Sequence, residues 1–323
     1  MKSLVINILL LLLLLISIKV EAKDPVVSNA SPEAKALLNF IYDMYGKKTL
    51  SGQMWAPWGS FDEVEKVKEI TGRYPAVRGH DLIHENSNAN EVKLLIEWWK
   101  KGGVPTLMWH WGAPSKGEGY EQSKLGIDIE RCFQEGTDEY KAMWADLKRV
   151  ADWLTVLRDA NVPILWRPMH EFEGGWFWYG KGTGEQFNRL WRTMFDYFTK
   201  DRELNNLIWV LCHSDNPNPA FDPGKQYYDI VAADTYQKNR VLKDMFNDVI
   251  TVHGRDLPIV FHECGTLPDP DKCFKDGVTW LWWMLWHTGH VASQKPEDMK
   301  RIYNHELVIT LDEMPDIMSY SEK

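Results

Sequence analysis

The 323-residue chain has no Cys-x-x-Cys pair and no His-Glu-x-x-His run. It also lacks a glycine-rich phosphate turn behind its first apolar segment, where Ser51, Gly52, Gln53, Met54 and Trp55 stand instead. Those absences remove the commonest zinc frameworks and the dinucleotide fingerprint, so neither a metal nor a cofactor is expected. No Pro/Ser-rich linker, low-complexity tract or short-period repeat divides the chain, which reads as one domain. Positive charge is scarce: 37 Lys and Arg face 46 Asp and Glu, for a net charge of −9. So acidic a chain is a poor partner for nucleic acid or anionic lipid. Cysteine is sparse too, and Cys132, Cys212, Cys264 and Cys273 allow three pairings if two bridges form. Cys264 to Cys273 would close a short surface loop, whereas Cys212 lies in an apolar run and reads as a buried thiol.

What the chain does have begins at its N-terminus. Lys2 precedes an apolar run from Leu4 to Ile18, of signal-peptide length and too short for a comfortable membrane span. Val20, Glu21 and Ala22 then offer a cleavage site after Ala22. The expectation is a signal peptide over 1–22 and a mature domain over 23–323, monomeric and secreted or periplasmic. An uncleaved anchor is the alternative. No cysteine follows the site to carry a lipid.

Eight short apolar segments recur through the mature chain, over 49–54, 76–82, 104–111, 162–169, 207–213, 230–236, 258–264 and 280–286. Amphipathic stretches separate them, among them 62–71, 91–101, 138–161 and 184–199. That rhythm predicts an α/β fold, a single (β/α)8 TIM barrel; an open doubly wound sheet is the alternative. Polar and aromatic residues gather at the ends of the segments: His80-Asp81, Trp109-His110-Trp111, His170-Glu171, His213, Asp234-Thr235-Tyr236, His262-Glu263 and Trp286-His287. In a parallel barrel those ends share one rim, where active sites are built.

Two rim glutamates suit glycoside hydrolysis with retention, which needs a protonated and an ionised carboxyl about 5 to 5.5 Å apart. Glu171 runs into a loop containing Trp176, Trp178 and Tyr179, and a ring-lined, partly dry pocket favours the protonated acid. Glu173 is its rival in that loop, two residues farther from the strand. Glu263 must be ionised to attack, and Arg167 and Tyr236 are the candidate donors to it. The 17 tryptophans point weakly to carbohydrate, because flat rings stack on sugar faces.

The run Arg167-Pro168-Met169-His170-Glu171, followed by Gly175-Trp176-Phe177-Trp178-Tyr179-Gly180, resembles the acid/base region of glycoside hydrolase family 26, whose best-known members are β-1,4-mannanases. Phe261-His262-Glu263-Cys264-Gly265 resembles its nucleophile region, and Leu50-Ser51-Gly52-Gln53, Trp109-His110-Trp111, Asp234-Thr235-Tyr236 and Trp286-His287 match in order. The resemblance implies a retaining hydrolase of mannan-type polysaccharide, with Glu171 as acid/base and Glu263 as nucleophile. It further implies sugar contacts from His110, Trp111, Arg167, His170, Trp176, Tyr236 and Trp286. His287 departs from the family pattern, where many relatives carry Arg, and the charged segment 113–140 could close one end of a cleft.

Other readings stay open at this stage. The rim histidines would suit a metal-dependent hydrolase, and the tryptophans an inactive sugar-binding module. The same design could serve xylan or mixed-linkage glucan, or release disaccharides from chain ends.

Overall fold

In the computed structural model, which describes residues 23–321, β1 (Thr49–Met54), β2 (Val77–Asp81), β3 (Val104–Trp109), β4 (Ile164–Pro168), β5 (Leu207–His213), β6 (Ile230–Thr235), β7 (Ile259–Cys264) and β8 (Trp282–Leu285) run parallel in sequence order. β1 pairs with β2 on one side and with β8 on the other, so the sheet closes into a barrel. Every residue of these strands is buried, as a sheet covered on both faces requires. That double burial explains why they read as short apolar runs and not as alternating patterns. The leader proposed for 1–22 lies outside the described residues. Among the described residues, no helix is long and apolar enough to cross a membrane.

The helices between strands start where the sequence offers caps. Asp62 accepts from Val64 and Glu65 to start Glu63–Thr71, and Gly72 ends that helix in the left-handed region. Thr137 caps Asp138–Asp159, and Thr183 with Gln186 forms a capping box on Gly184–Asp196. The helix expected over 91–101 begins earlier, as Glu85–Lys100. Three features go beyond the segments read from sequence. Helix Pro32–Met44, capped by Ser31, precedes β1, and a two-residue strand, β9 (Val308–Ile309), pairs in parallel with the start of β1. Between β5 and β6, no α-helix forms among the described residues; the link holds two 3₁₀ turns, Pro219–Phe221 and Lys225–Tyr227.

Tryptophan serves the core first. Nine of the twelve largest fully buried side chains are tryptophans, so most of the composition signal for sugar binding is packing. No pairing of the cysteines forms, and Cys212 is the buried thiol that its apolar run suggested. All four cysteines are buried free thiols. Cys264 is the last residue of β7 and fully buried, and the Cys273 thiol turns to the Arg240 carbonyl at 3.4 Å, so no surface loop exists for them to staple.

Barrel closure leaves no room at Gly52. A Cβ there would stand 2.4 Å from the Trp283 carbonyl oxygen of β8, a backbone atom that cannot swing aside. Gly52→Ala should destabilise the fold by about 1–3 kcal/mol. In a thermal melt, each kcal/mol would lower Tm by about 1.5–2 °C for a domain of this size. An unchanged Tm would contradict the close β1–β8 seam.

Candidate active site

Three strands deliver a cluster of carboxyls to one point on the rim. β4 ends on Arg167 and Pro168, and the chain then turns through Met169 and Glu171, both left-handed at φ 45° and 51°. A non-glycine residue held there costs about 1–3 kcal/mol and persists only where neighbours over-determine it. Here the Glu171 amide donates to the Cys212 carbonyl at 2.8 Å, the Gly174 amide to the Glu171 carbonyl at 3.1 Å, and the Tyr179 hydroxyl to the His170 carbonyl at 3.0 Å. Gly180 lets the loop fold back, since a Cβ there would meet the Phe172 carbonyl oxygen at 1.7 Å. Register shifts at Ala233/Asp234 in β6 and between Phe261 and Cys264 in β7 aim Asp234 and Glu263 at the same place.

One carboxylate oxygen from each of Glu171, Asp234 and Glu263 lies within 4.8 Å of the others. The cation that balances them is Arg167, itself fully buried. Its Nη1 donates to Asp234 Oδ2 at 2.7 Å and its Nη2 to Glu263 Oε1. The Tyr236 hydroxyl donates to Glu263 Oε2 at 2.6 Å, and the Glu263 amide donates to Asp234 Oδ1 at 2.8 Å. Glu263 therefore has a donor on each oxygen, the setting an ionised nucleophile requires. Glu171 lacks the guanidinium. Trp176 Nε1 donates to its Oε2 at 2.8 Å. Burial first, then the charges of Glu263 and Asp234, hold its carboxyl well above the ordinary carboxylate range. Burial, against the downward pull of Arg167 and with the Glu263 charge adding to it, leaves Asp234 raised to about 8, and both its oxygens are engaged. Of the three carboxyls, Glu171 alone has no bond to the guanidinium and is the one placed to keep a proton.

Above this cluster lies a cleft with two lobes on either side of Glu171. The larger, of about 540 Å³, is lined by His110, His170, Phe177, Tyr236, Glu263 and Trp286, and reaches out to Trp58, His84, His287 and His290. The smaller, of about 320 Å³, holds Trp176, Ser214, Asp215 and Thr235, and Tyr120 and Tyr236 border both. Trp58 and Trp176 expose 48% and 40% of their surface, enough for a ring face to meet a ligand. His170 is kept neutral by burial and by the nearby Arg167 charge.

His110, His170, Trp176, Tyr236 and Trp286 thus reach the cleft as expected from sequence, and two predicted contact residues do not. Trp111 is buried and stacked on Trp109, with its Nε1 donating to Asp146 at 2.9 Å, because the ring turns outward into the barrel wall. Arg167 lies wholly beneath the rim, tied up by Asp234 and Glu263, and presents no atom to a ligand. Of the loop rings, Trp178 and Tyr179 are buried and only Trp176 of the three bonds Glu171. Sequence reasoning gave no role to Asp81 or Glu63. Asp81 accepts from the His110 amide at 3.0 Å and meets His110 Nδ1 at 2.5 Å, fixing that ring; its place at the end of β2 was the available signal. Glu63 accepts from the Thr288 amide and hydroxyl, both at 3.0 Å, and ties the loop after β1 to the loop after β8, a pairing no local pattern announces.

Among the described residues, Glu171, Asp234 and Glu263 are the only His, Cys, Asp or Glu side chains that converge tightly enough to hold a metal, and Arg167 already supplies their positive charge. The rim histidines stand outside the group.

The model of Glycosyl hydrolase family 26 matches residues 26–313. A mannan endo-1,4-β-mannosidase of Thermothelomyces thermophilus is 30% identical over 308 residues, which cover 88% of this chain and 62% of that protein. Mannan endo-1,4-β-mannosidase A of a Piromyces species is 30% identical over 305 residues, which cover 88% of this chain and 50% of that protein. The chain thus spans about half to two-thirds of the length of these relatives. A β-mannanase from a symbiotic protist of the termite Reticulitermes speratus, solved in complex with gluco-manno-oligosaccharide, is similar in structure. It superposes with a TM-score of 0.81 at 31% identity, over 91% of this chain and 98% of that one.

A raised carboxyl pKa in the folded state is also a stability statement. The unfolded Glu171 would titrate near 4.3. Between that value and its raised folded value the folded state holds the extra proton, so wild-type stability falls as pH rises through the interval. Glu171→Gln cannot ionise and escapes the loss. Its Tm should therefore gain on wild type progressively from about pH 5 upward, by calorimetry across a pH series. A gap that stays constant with pH would mean that Glu171 titrates like a solvent-exposed acid.

Proposed function

The chain belongs to glycosyl hydrolase family 26, and from that premise we propose that it is an endo-acting β-mannanase, cleaving β-1,4-mannosidic linkages in mannan, glucomannan or galactomannan by double displacement with retention. The observation that carries the reading is the short reach between two carboxyls in unlike settings. Oxygens of Glu171 and Glu263 approach within 4.8 Å. Retention needs carboxyls about 5–5.5 Å apart and inversion about 6.5–9.5 Å, to admit a water between.

In the first step Glu263 attacks the anomeric carbon while Glu171 gives its proton to the departing oxygen. As the bond to Glu263 forms, its negative charge is consumed, and the Tyr236 hydroxyl and Arg167 remain to steady the ester. In the second step Glu171, now ionised, takes a proton from water, which displaces Glu263 and restores the starting state. The lobe holding Trp176 lies beside the proton donor and would receive the leaving sugar; the lobe of His110, His170 and Trp286 would hold the sugar under attack. Two lobes meeting at Glu171 suit a chain that enters and leaves the cleft, in keeping with the endo-mannosidase names of the relatives. The apolar run over 4–18 supports export of the domain, with mature protein beginning at Lys23.

Incubation with mannan, galactomannan, xylan and mixed-linkage glucan tests the substrate class. Mannans should release a ladder of oligomers whose first-formed reducing ends are β by proton NMR. A single disaccharide from the outset would replace endo with end-wise action, α anomers would overturn retention, and no release from any mannan would overturn the substrate. Glu263→Ala should lower kcat by several orders of magnitude in protein that still folds, because no neighbour can replace the attacking oxygen.

A further inference from the structure

A file of buried polar groups runs from the wall of the barrel to the loop that bears Glu171. Glu173 turns away from the cleft, and its Oε1 lies 2.7 Å from His213 Nδ1 at the end of β5. His213 Nε2 lies 2.7 Å from His253 Nε2, and His253 Nδ1 lies 2.9 Å from the Tyr228 hydroxyl. Both histidines are buried. Phe172 closes over the file, its ring 4.8 Å from that of His213 and 4.2 Å from that of Phe187.

With the Glu173 carboxylate as an acceptor only, one direction of donation serves the three bonds of the file without charging either ring, the Tyr228 hydroxyl being shared between His253 and Asp222. Tyr228 O–H donates to His253 Nδ1, His253 Nε2–H to His213 Nε2, and His213 Nδ1–H to the Glu173 carboxylate. The Glu173 carboxylate thereby fixes the tautomer of His213, with its Nδ1–H aimed at Glu173, and His253 behind it fits that tautomer. Asp222, whose Oδ1 is 3.2 Å from the Tyr228 hydroxyl, and Lys225 are the outer charges near this end.

The end of β5 consequently grips the loop twice. The Cys212 carbonyl takes the Glu171 amide, and His213 takes the Glu173 side chain, one hold on each side of Phe172. Glu171 is left-handed between them, a conformation that persists only where its neighbours hold it. We propose that Glu173 is a positioning residue for Glu171, keeping the proton donor in line through its bond to His213 and the chain of His253 and Tyr228 behind it. The proposal rests on Glu171 being the acid/base of a retaining mannanase.

Leaving-group dependence separates positioning of an acid from general damage. The substrates are mannan and a 2,4-dinitrophenyl β-mannobioside, whose leaving group departs without a proton. Glu173→Ala should cut kcat/KM on mannan by about 10–100-fold, the scale expected of an ångström's misplacement, and on the aryl substrate by less than about threefold. Glu173→Gln, whose amide oxygen can still accept from His213, should recover most of the loss. Glu173→Asp, drawn back by one methylene, should show the same selective loss in milder form and stands in if the alanine variant does not fold. Glu171→Ala is the reference. If it shows no preference for the aryl substrate, the reading of the reaction falls. If it does, and the Glu173 variants lose both substrates equally or neither, or glutamine is no better than alanine, the positioning role is overturned.

Discussion

Beneath the rim, the Arg167 guanidinium reaches Asp234 with one nitrogen and Glu263 with the other, and the unlike behaviour of the two key glutamates follows from that bridge. A cation taken out of water must be paired, and removing one partner from such a group costs about 3–5 kcal/mol. Arg167 comes from β4, Asp234 from β6 and Glu263 from β7, so the pairing forms only when three strands have the right register. Fold and chemistry are therefore set by one contact. With the single positive charge spent on Asp234 and Glu263, Glu171 is left beside negative neighbours in a dry setting, and holding a proton is its cheaper state.

The loop after β4 turns that charge arrangement into a directed one. A left-handed turn at Met169 and Glu171 lifts the Glu171 side chain off the strand and faces it toward Glu263, and the hydrogen bonds to the Cys212 carbonyl and from Tyr179 and His213 hold a conformation that the backbone alone would leave. Rings divide their labour around it. Phe172, Trp178 and Tyr179 are buried and stiffen the loop from below, while Trp176 stays on the surface with its indole nitrogen on the acid. Across the cleft, Asp81 orients His110, whose ring stands edge-on to His170 at 4.6 Å.

Much of this was legible in the sequence, because the signals were local. Seven of the eight barrel strands belong to short apolar segments with a polar or aromatic end, and every one of the eight falls where a strand segment was read. Glu171 and Glu263 stood out because each sits at or just beyond the end of an apolar strand segment, and Arg167 and Tyr236 were visible as donors near them. What stayed hidden depended on direction or on distance along the chain. Whether Trp111 faces the cleft or Asp146 is a matter of one bond rotation at a strand end, and a composition rich in tryptophan does not say which rings are core. The Glu63–Thr288 tie spans 225 residues, and the Glu173–His213–His253 file joins three separate elements. The strand β9 is two residues long and carries no pattern of its own. Cys212 was legible as a buried thiol from its apolar run, whereas the spacing of Cys264 and Cys273 suggested a surface loop, and only the packing shows those thiols enclosed.

The assignment of unequal roles to Glu171 and Glu263 is open to direct capture. A 2-deoxy-2-fluoro-β-mannobiosyl fluoride has a good leaving group but reacts slowly at its second step, so a retaining enzyme should accumulate as the glycosyl ester. Mass spectrometry of the intact protein should show one added fluoromannobiosyl unit, and peptide mapping should locate it on Glu263. A label on Glu171 or Glu173, or fluoride release with no protein ever labelled, would contradict the account.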